Sequence, residues 1–172
     1  MQLFRVLLPL LVSVCLSVCL VFTSSPAMAA PVAVLPGLKG VFTGTPPADI
    51  GIHDTQLSPC PASPNCVSTS SSDDEHTIAP IEYTTDRDAV RAQLVAVIQN
   101  QPRTEIIEQT DDYVRVEFTS RLMGFVDDAE FYFVPDGHTI AMRSAARLGE
   151  SDLGVNRRRL EQFRLALQSL GA

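Results

Sequence analysis

The stretch FVDDAEFYFVPDGHTIAMRSAA, residues 125–146, decides the fold of this 172-residue chain. At its centre, Pro135-Asp136-Gly137-His138 reads as a tight β-hairpin, because Asp-Gly tolerates the positive φ that such a turn requires. A loop of Asp136 and Gly137 alone sets Pro135 opposite His138 and fixes the register. Phe133 then faces Ile140, Phe131 faces Met142, Glu130 faces Arg143, and Asp127 falls near Ala146. Side chains alternate across a strand. Phe125, Ala129, Phe131 and Phe133 therefore share an apolar face, opposed by Asp128, Glu130 and Tyr132.

The same alternation continues upstream. Residues 112–120 put Val114, Val116 and Phe118 on one face and Tyr113, Arg115, Glu117 and Thr119 on the other. Residues 104–109 form a further strand, and Ile78, Ile81 and Tyr83 a short one. A helix runs from a cap at Thr85 or Asp86 to about Asn100, with Val90, Leu94, Val97 and Ile98 on one side. Pro102 stops it. A last helix spans about Leu153 to Leu170, with Leu160, Phe163, Leu167 and Leu170 as its stripe. The expected fold is α+β: an antiparallel meander of four to five strands, two helices covering one face, and an extended Pro/Gly-rich arm before it.

The N-terminus reads as a signal peptide over residues 1–29. Arg5 precedes an apolar run from Val6 to Phe22, and Ala27-Met28-Ala29 supplies the cleavage pattern. The competing reading is a retained membrane anchor, which Pro9 and the clean Ala-x-Ala oppose. Residues 30–75, rich in Pro, Gly, Ser and Thr, form the arm, and residues 76–172 the globular domain. An exported compartment is oxidising, so Cys60 and Cys66, a short Pro-containing loop apart, are expected to form a disulfide. A zinc site with His53 and His76 is the alternative, but the spacing matches no common arrangement.

Twenty acidic against 13 basic residues give a net charge of −7; loss of Arg5 leaves 12 against 20, or −8. That balance argues against nucleic acid or anionic lipid as a bulk electrostatic partner. Lys39 is the only lysine, so nearly every cation is a guanidinium suited to bidentate pairing.

The polar residues concentrate between Arg143 and Arg164. At 100° per residue, Asp152 and Asn156 fall near the centre of the last helix's apolar stripe and Arg159 at its edge, while Arg157 and Arg158 point away. Buried charge needs a partner. In one reading, Ser151 or Asp152 caps the helix, Asn156 satisfies a strand end, and Arg143 pairs with Glu130. In the other, Arg143 and Arg147 face the helix start and form an anion pocket with Asp152, Asn156 and Arg159. Asp127, on the apolar face, would be reached by Arg147 or Asn156. Asp128 and Glu130 belong to a charge ladder with Arg143, Arg115 and Glu117. Because alternation splits Asp127, Asp128 and Glu130 between faces, no metal site is expected, and no cofactor motif occurs. None of His53, His76 and His138 lies in a catalytic motif, so no catalytic residue is assigned.

PCPASPNCVS (59–68), MGFVDDAEF (123–131) and MRSAARLGESDLGVNRRRLEQFR (142–164), with GTPPADIGI and HTIAPIEY, together resemble the bacterial and plastid family known as domain of unknown function 1499. The chain departs from that family's pattern at Ala146, where a second serine is usual, and at Glu150, where an uncharged residue is common. The resemblance implies no activity. The signal ending is similar to those of cyanobacterial exported proteins, which implies periplasm or thylakoid lumen. The expected function is a non-enzymatic small-ligand or anion-binding module with no stable membrane insertion after cleavage. The alternatives are an accessory factor of a membrane complex, docking through its arm, and a carboxylate-dependent hydrolase.

Overall fold

The computed structural model describes residues 40–135 and 137–172. The segment expected to be a signal peptide, residues 30–39 of the expected arm, and Asp136 of the β7–β8 loop lie outside the described residues. The order is β1 (Ile52–His53), β2 (Gln56–Leu57), β3 (Cys66–Ser68), β4 (Ile81–Glu82), α1 (Arg87–Gln99), β5 (Thr104–Gln109), β6 (Tyr113–Thr119), β7 (Val126–Phe133), β8 (Thr139–Ala146) and α2 (Val155–Ser169). The fold is α+β. Strands β5 to β8 form the antiparallel meander, and the register expected from the turn holds throughout: Phe133 faces Ile140, Phe131 Met142, Glu130 Arg143 and Asp127 Ala146.

The main sheet has six strands rather than four to five, because β3 and β4 both pair with the free edge of β8. β3 lies inside the segment read as irregular arm. Three residues between prolines and serines carry no periodicity, so composition alone hid it. Its pairing continues through Thr69, whose amide donates to the Met142 carbonyl at 2.9 Å.

One face of the sheet carries the apolar core. Val114, Val116, Ala129, Phe131, Phe133, Ile140 and Met142 pack under Val90, Leu94 and Ile98 of α1 and Leu160, Phe163 and Leu167 of α2. Asp86 caps α1, its carboxylate accepting from the Ala89 amide at 3.0 Å. Two expected core residues stand outside. Leu170 is exposed because α2 ends at Ser169, and Phe125 precedes β7 and packs instead on Phe42, ring centroids 5.3 Å apart.

The other face is polar yet covered. The chain from Gly40 to Ser58, including the β1–β2 hairpin, crosses it as a strap. Leu57 packs on Tyr113 and Tyr132, and a Cβ on Gly44 would stand 2.8 Å from the Arg147 Cβ. Cys60 and Cys66 form a disulfide just after the strap, with Cα atoms 5.6 Å apart.

Candidate functional site

Alternation along β8 sends Arg143 outward, and the backbone carries the same direction on to Arg147. Both guanidinium groups therefore lie beneath the strap and not at the start of α2. Arg143, 2 % exposed, donates to Glu130 at 3.0 Å and to Asp49 at 3.1 Å. Glu130 also accepts from the Tyr113 hydroxyl at 2.8 Å and the Gly51 amide at 2.7 Å. Burial, reinforced by the Glu130 charge, pushes the Tyr113 hydroxyl far above the ordinary tyrosine range. Arg147 donates to Asp128 at 2.7 Å and 2.9 Å and also to Glu117; Arg115 donates to the same Asp128 at 2.9 Å. Hydrogen bonds to Asp128, against the opposing effect of burial, hold Arg147 firmly protonated. The ladder read from alternation is thus present, but sealed.

The start of α2 is filled from within. Asp152 accepts from the Gly154 amide at 2.9 Å and the Asn156 amide at 2.7 Å. Those are the donors that an external anion would need at a helix N-terminus. Asn156, 1 % exposed, is engaged as well: its oxygen accepts from Ser144 at 2.6 Å and from Arg159, and its side-chain amide donates to the Asn65 carbonyl at 3.0 Å.

Arg159 is different. One nitrogen holds Asp127 at 2.6 Å, and the guanidinium carbon lies 4.5 Å from the centroid of the Phe118 ring. Stacking of a cation over an aromatic face is itself attractive. This pair forms one wall of a cleft of about 340 Å³ between the end of α1, the end of β6 and the first turns of α2. Val97, Phe118, Phe163 and Ala166 supply its apolar surface, and Arg103 and Arg158 join Arg159 around it. Asp127 is the one carboxylate among the lining residues. Burial pushes its carboxyl up, the Asp152 and Asp128 charges add to that, and the opposing pull of Arg159 does not cancel the rise.

The six candidate ligand residues are therefore divided between two sides of the sheet. Asp127, Asp152, Asn156 and Arg159 gather under and beside α2, while Arg143 and Arg147 lie across the sheet from them. The partner of Asp127 is Arg159, not Arg147 or Asn156, because Arg147 continues the outward alternation of β8. Arg158 was read as solvent-facing; it is exposed, donates to the Leu153 carbonyl at 2.8 Å, and still lines the cleft. Arg157 anchors the chain before β4 by donating to the carbonyls of Thr77 and Glu75. Arg103 and Asp49 were not singled out, and no local pattern marks either one.

Residues 56–167 match the profile of a family described as protein of unknown function, DUF1499. The chain belongs to that family. No curated protein and no solved structure matches it. The DUF1499 segment contains the whole cleft and the carboxylates facing Arg115 and Arg147, but Asp49 and Gly51 of the strap lie before it. Among the described residues, no group of three or more His, Cys, Asp or Glu side chains could hold a metal, and no helix is long and apolar enough to cross a membrane.

Proposed function

We propose that this DUF1499 protein is an exported, non-enzymatic module of the periplasm or thylakoid lumen that binds a small amphipathic anion in the α1–β6–α2 cleft. The observation that carries this reading is Arg159, over the Phe118 ring and paired to Asp127 on the cleft wall. A protein of net charge −7 lines this cleft with three arginines and a single carboxylate, beside buried aromatic surface. An anionic head with a short apolar tail matches both features, and the volume lies in the range of small-ligand sites. Asp127 screens Arg159 while the cleft is empty and leaves Arg103 and Arg158 to attract the head group.

The hydrolase reading loses its pair of carboxylates, since Asp127 and Asp128 face opposite sides of the sheet. The docking-arm reading loses residues 40–58, which are folded against the chain's own sheet.

The experiment is thermal melting with decanesulfonate, and with decanol as the uncharged control. A ligand that binds the native state raises the melting temperature in proportion to log concentration. Decanesulfonate should raise it and decanol should not, and Arg159→Gln or the exposed pair Arg103→Gln/Arg158→Gln should abolish most of the rise. Equal rises in all variants would refute an anion site in the cleft.

A further inference from the structure

The antiparallel meander brings five segments to one end of the sheet: the chain entry at Gly40, the α1–β5 connection at Arg103, the β6–β7 loop at 120–125, the β8–α2 loop at 147–154, and the first turn of α2. Their neighbourhood is direct. Thr119 pairs with Val126, the Arg147 amide donates to the Val126 carbonyl at 3.1 Å, and the Thr119 amide donates to the Arg103 carbonyl at 2.9 Å. Most of the exposed large hydrophobic side chains among the described residues collect here. Leu122 and Leu153 are 65 % and 83 % exposed, and Val41, Met123, Leu148 and Val155 accompany them. Leu153 sits at φ 55°, a left-handed conformation that a leucine rarely adopts, with its side chain in solvent. An apolar patch of this kind on a monomer marks an interaction surface.

The charges at this end differ from those of the whole chain. Arg103, Arg121 and Arg158 are exposed around the patch, against the exposed carboxylates of Glu105 and Glu150. Lys39 immediately precedes the described chain, and the apolar run Val6–Phe22 lies upstream of the same entry point. The cleft shares Ser120, Val155 and Arg158 with this end. Apolar loop tips ringed by arginines suit the boundary between acyl chains and anionic head groups.

We infer that this end of the molecule docks on an anionic lipid bilayer, and that the cleft takes its ligand there, a lipid-derived amphiphile with an acidic head. The second half of this inference rests on the cleft reading above. Docking is peripheral and driven by the apolar tips, so the overall negative charge weakens it without reversing it.

The test is flotation of the chain starting at Ala30 with vesicles of phosphatidylcholine and phosphatidylglycerol, and with phosphatidylcholine alone. The wild-type chain should float with the mixed vesicles and less with the neutral ones. Leu122→Asp/Leu153→Asp, at exposed positions, should keep the native melting temperature and lose at least about tenfold in partitioning. That variant should still bind decanesulfonate in solution, which separates docking from the cleft. Loss of flotation with retained sulfonate binding supports the inference. Equal flotation of the two proteins overturns it, as does no flotation of the wild type. So does a wild-type dimer in sedimentation that the double variant abolishes, which would assign the patch to a second copy of the chain.

Discussion

Asp127 and Asp128, neighbours in β7, are ion-paired on opposite sides of the sheet, Asp127 to Arg159 at 2.6 Å and Asp128 to Arg147 at 2.7 Å. The first pair borders a cleft. The second is sealed under the strap. Residues of the same types, one position apart, thus line an open cleft on one face and a covered charge ladder on the other.

Removing Arg147 leaves the fully buried Asp128 carboxylate with only Arg115 as an ion-pair partner. Breaking a buried pair from one side costs about 3–5 kcal/mol. Arg147→Met should lower the urea midpoint by a corresponding amount without abolishing decanesulfonate binding. A loss below about 1 kcal/mol, the range of exposed pairs, would mean that the lattice is hydrated.

Cys60→Ser/Cys66→Ser should destabilise the protein by about 2–3 kcal/mol, the amount expected for a short closed loop. Asn65, beside Cys66, accepts from Asn156, donates to the Gly149 carbonyl at 2.6 Å and receives the Ala146 amide. The double variant should therefore also weaken decanesulfonate binding, because Asn156 orients Arg159. Calorimetric titration of both forms reads the difference directly.

His76 is buried, with Nδ1 2.6 Å from Asp73 and Nε2 3.2 Å from the Ser63 carbonyl. Burial opposes the charged ring, but the Asp73 hydrogen bond and charge and the Ser63 carbonyl outweigh it, and the histidine is raised. A raised histidine stabilises fully below its unfolded value, near 6.5, and loses that contribution as pH rises through the folded value. The melting temperature of wild type relative to His76→Gln should fall as pH rises from about 6 to 9. A difference that stays constant over that range would mean that folding leaves the proton affinity of the ring unchanged.

Asp127 titrates in the cleft above the ordinary carboxylate range, chiefly because it is buried. As pH falls through that value, Arg159 loses its internal counter-charge. Affinity for decanesulfonate, which stays ionised, should rise toward acid pH, and Asp127→Asn should reach the acid affinity already at neutral pH. Affinity that is independent of pH in both proteins would place the head group away from Arg159.

The register of β7 and β8, and with it the Glu130–Arg143 pair, is legible in the sequence because a short loop around Gly137 sets the pairing and alternation does the rest, although the left-handed residue is His138, at φ 45°, and Gly137 donates to the Val134 carbonyl. The meeting of Asp152 with the first amides of α2 and the burial of Asn156 are legible from helical spacing, although the capping position itself falls on Gly154, at φ 75°. Arg147 shows where local reasoning fails. The outward alternation of Arg143 already points it away from α2, but the loop after β8 gives no periodicity to carry that direction forward. Asp49 reaches Arg143 across 94 residues of sequence, and nothing near it signals a strap. The cleft is built from the ends of α1, β6 and α2. Such a site exists only once tertiary packing has brought distant segments together, so Arg158 reads as an ordinary solvent-facing cation and nothing marks Arg103.

The most direct measurement is a crystal structure of the chain starting at Ala30 soaked with decanesulfonate. The sulfonate should lie within hydrogen-bond distance of Arg159 and at least one of Arg103 and Arg158, with the alkyl chain against Phe118 and Phe163. A cleft left empty while the ligand occupies another surface would contradict the proposed function.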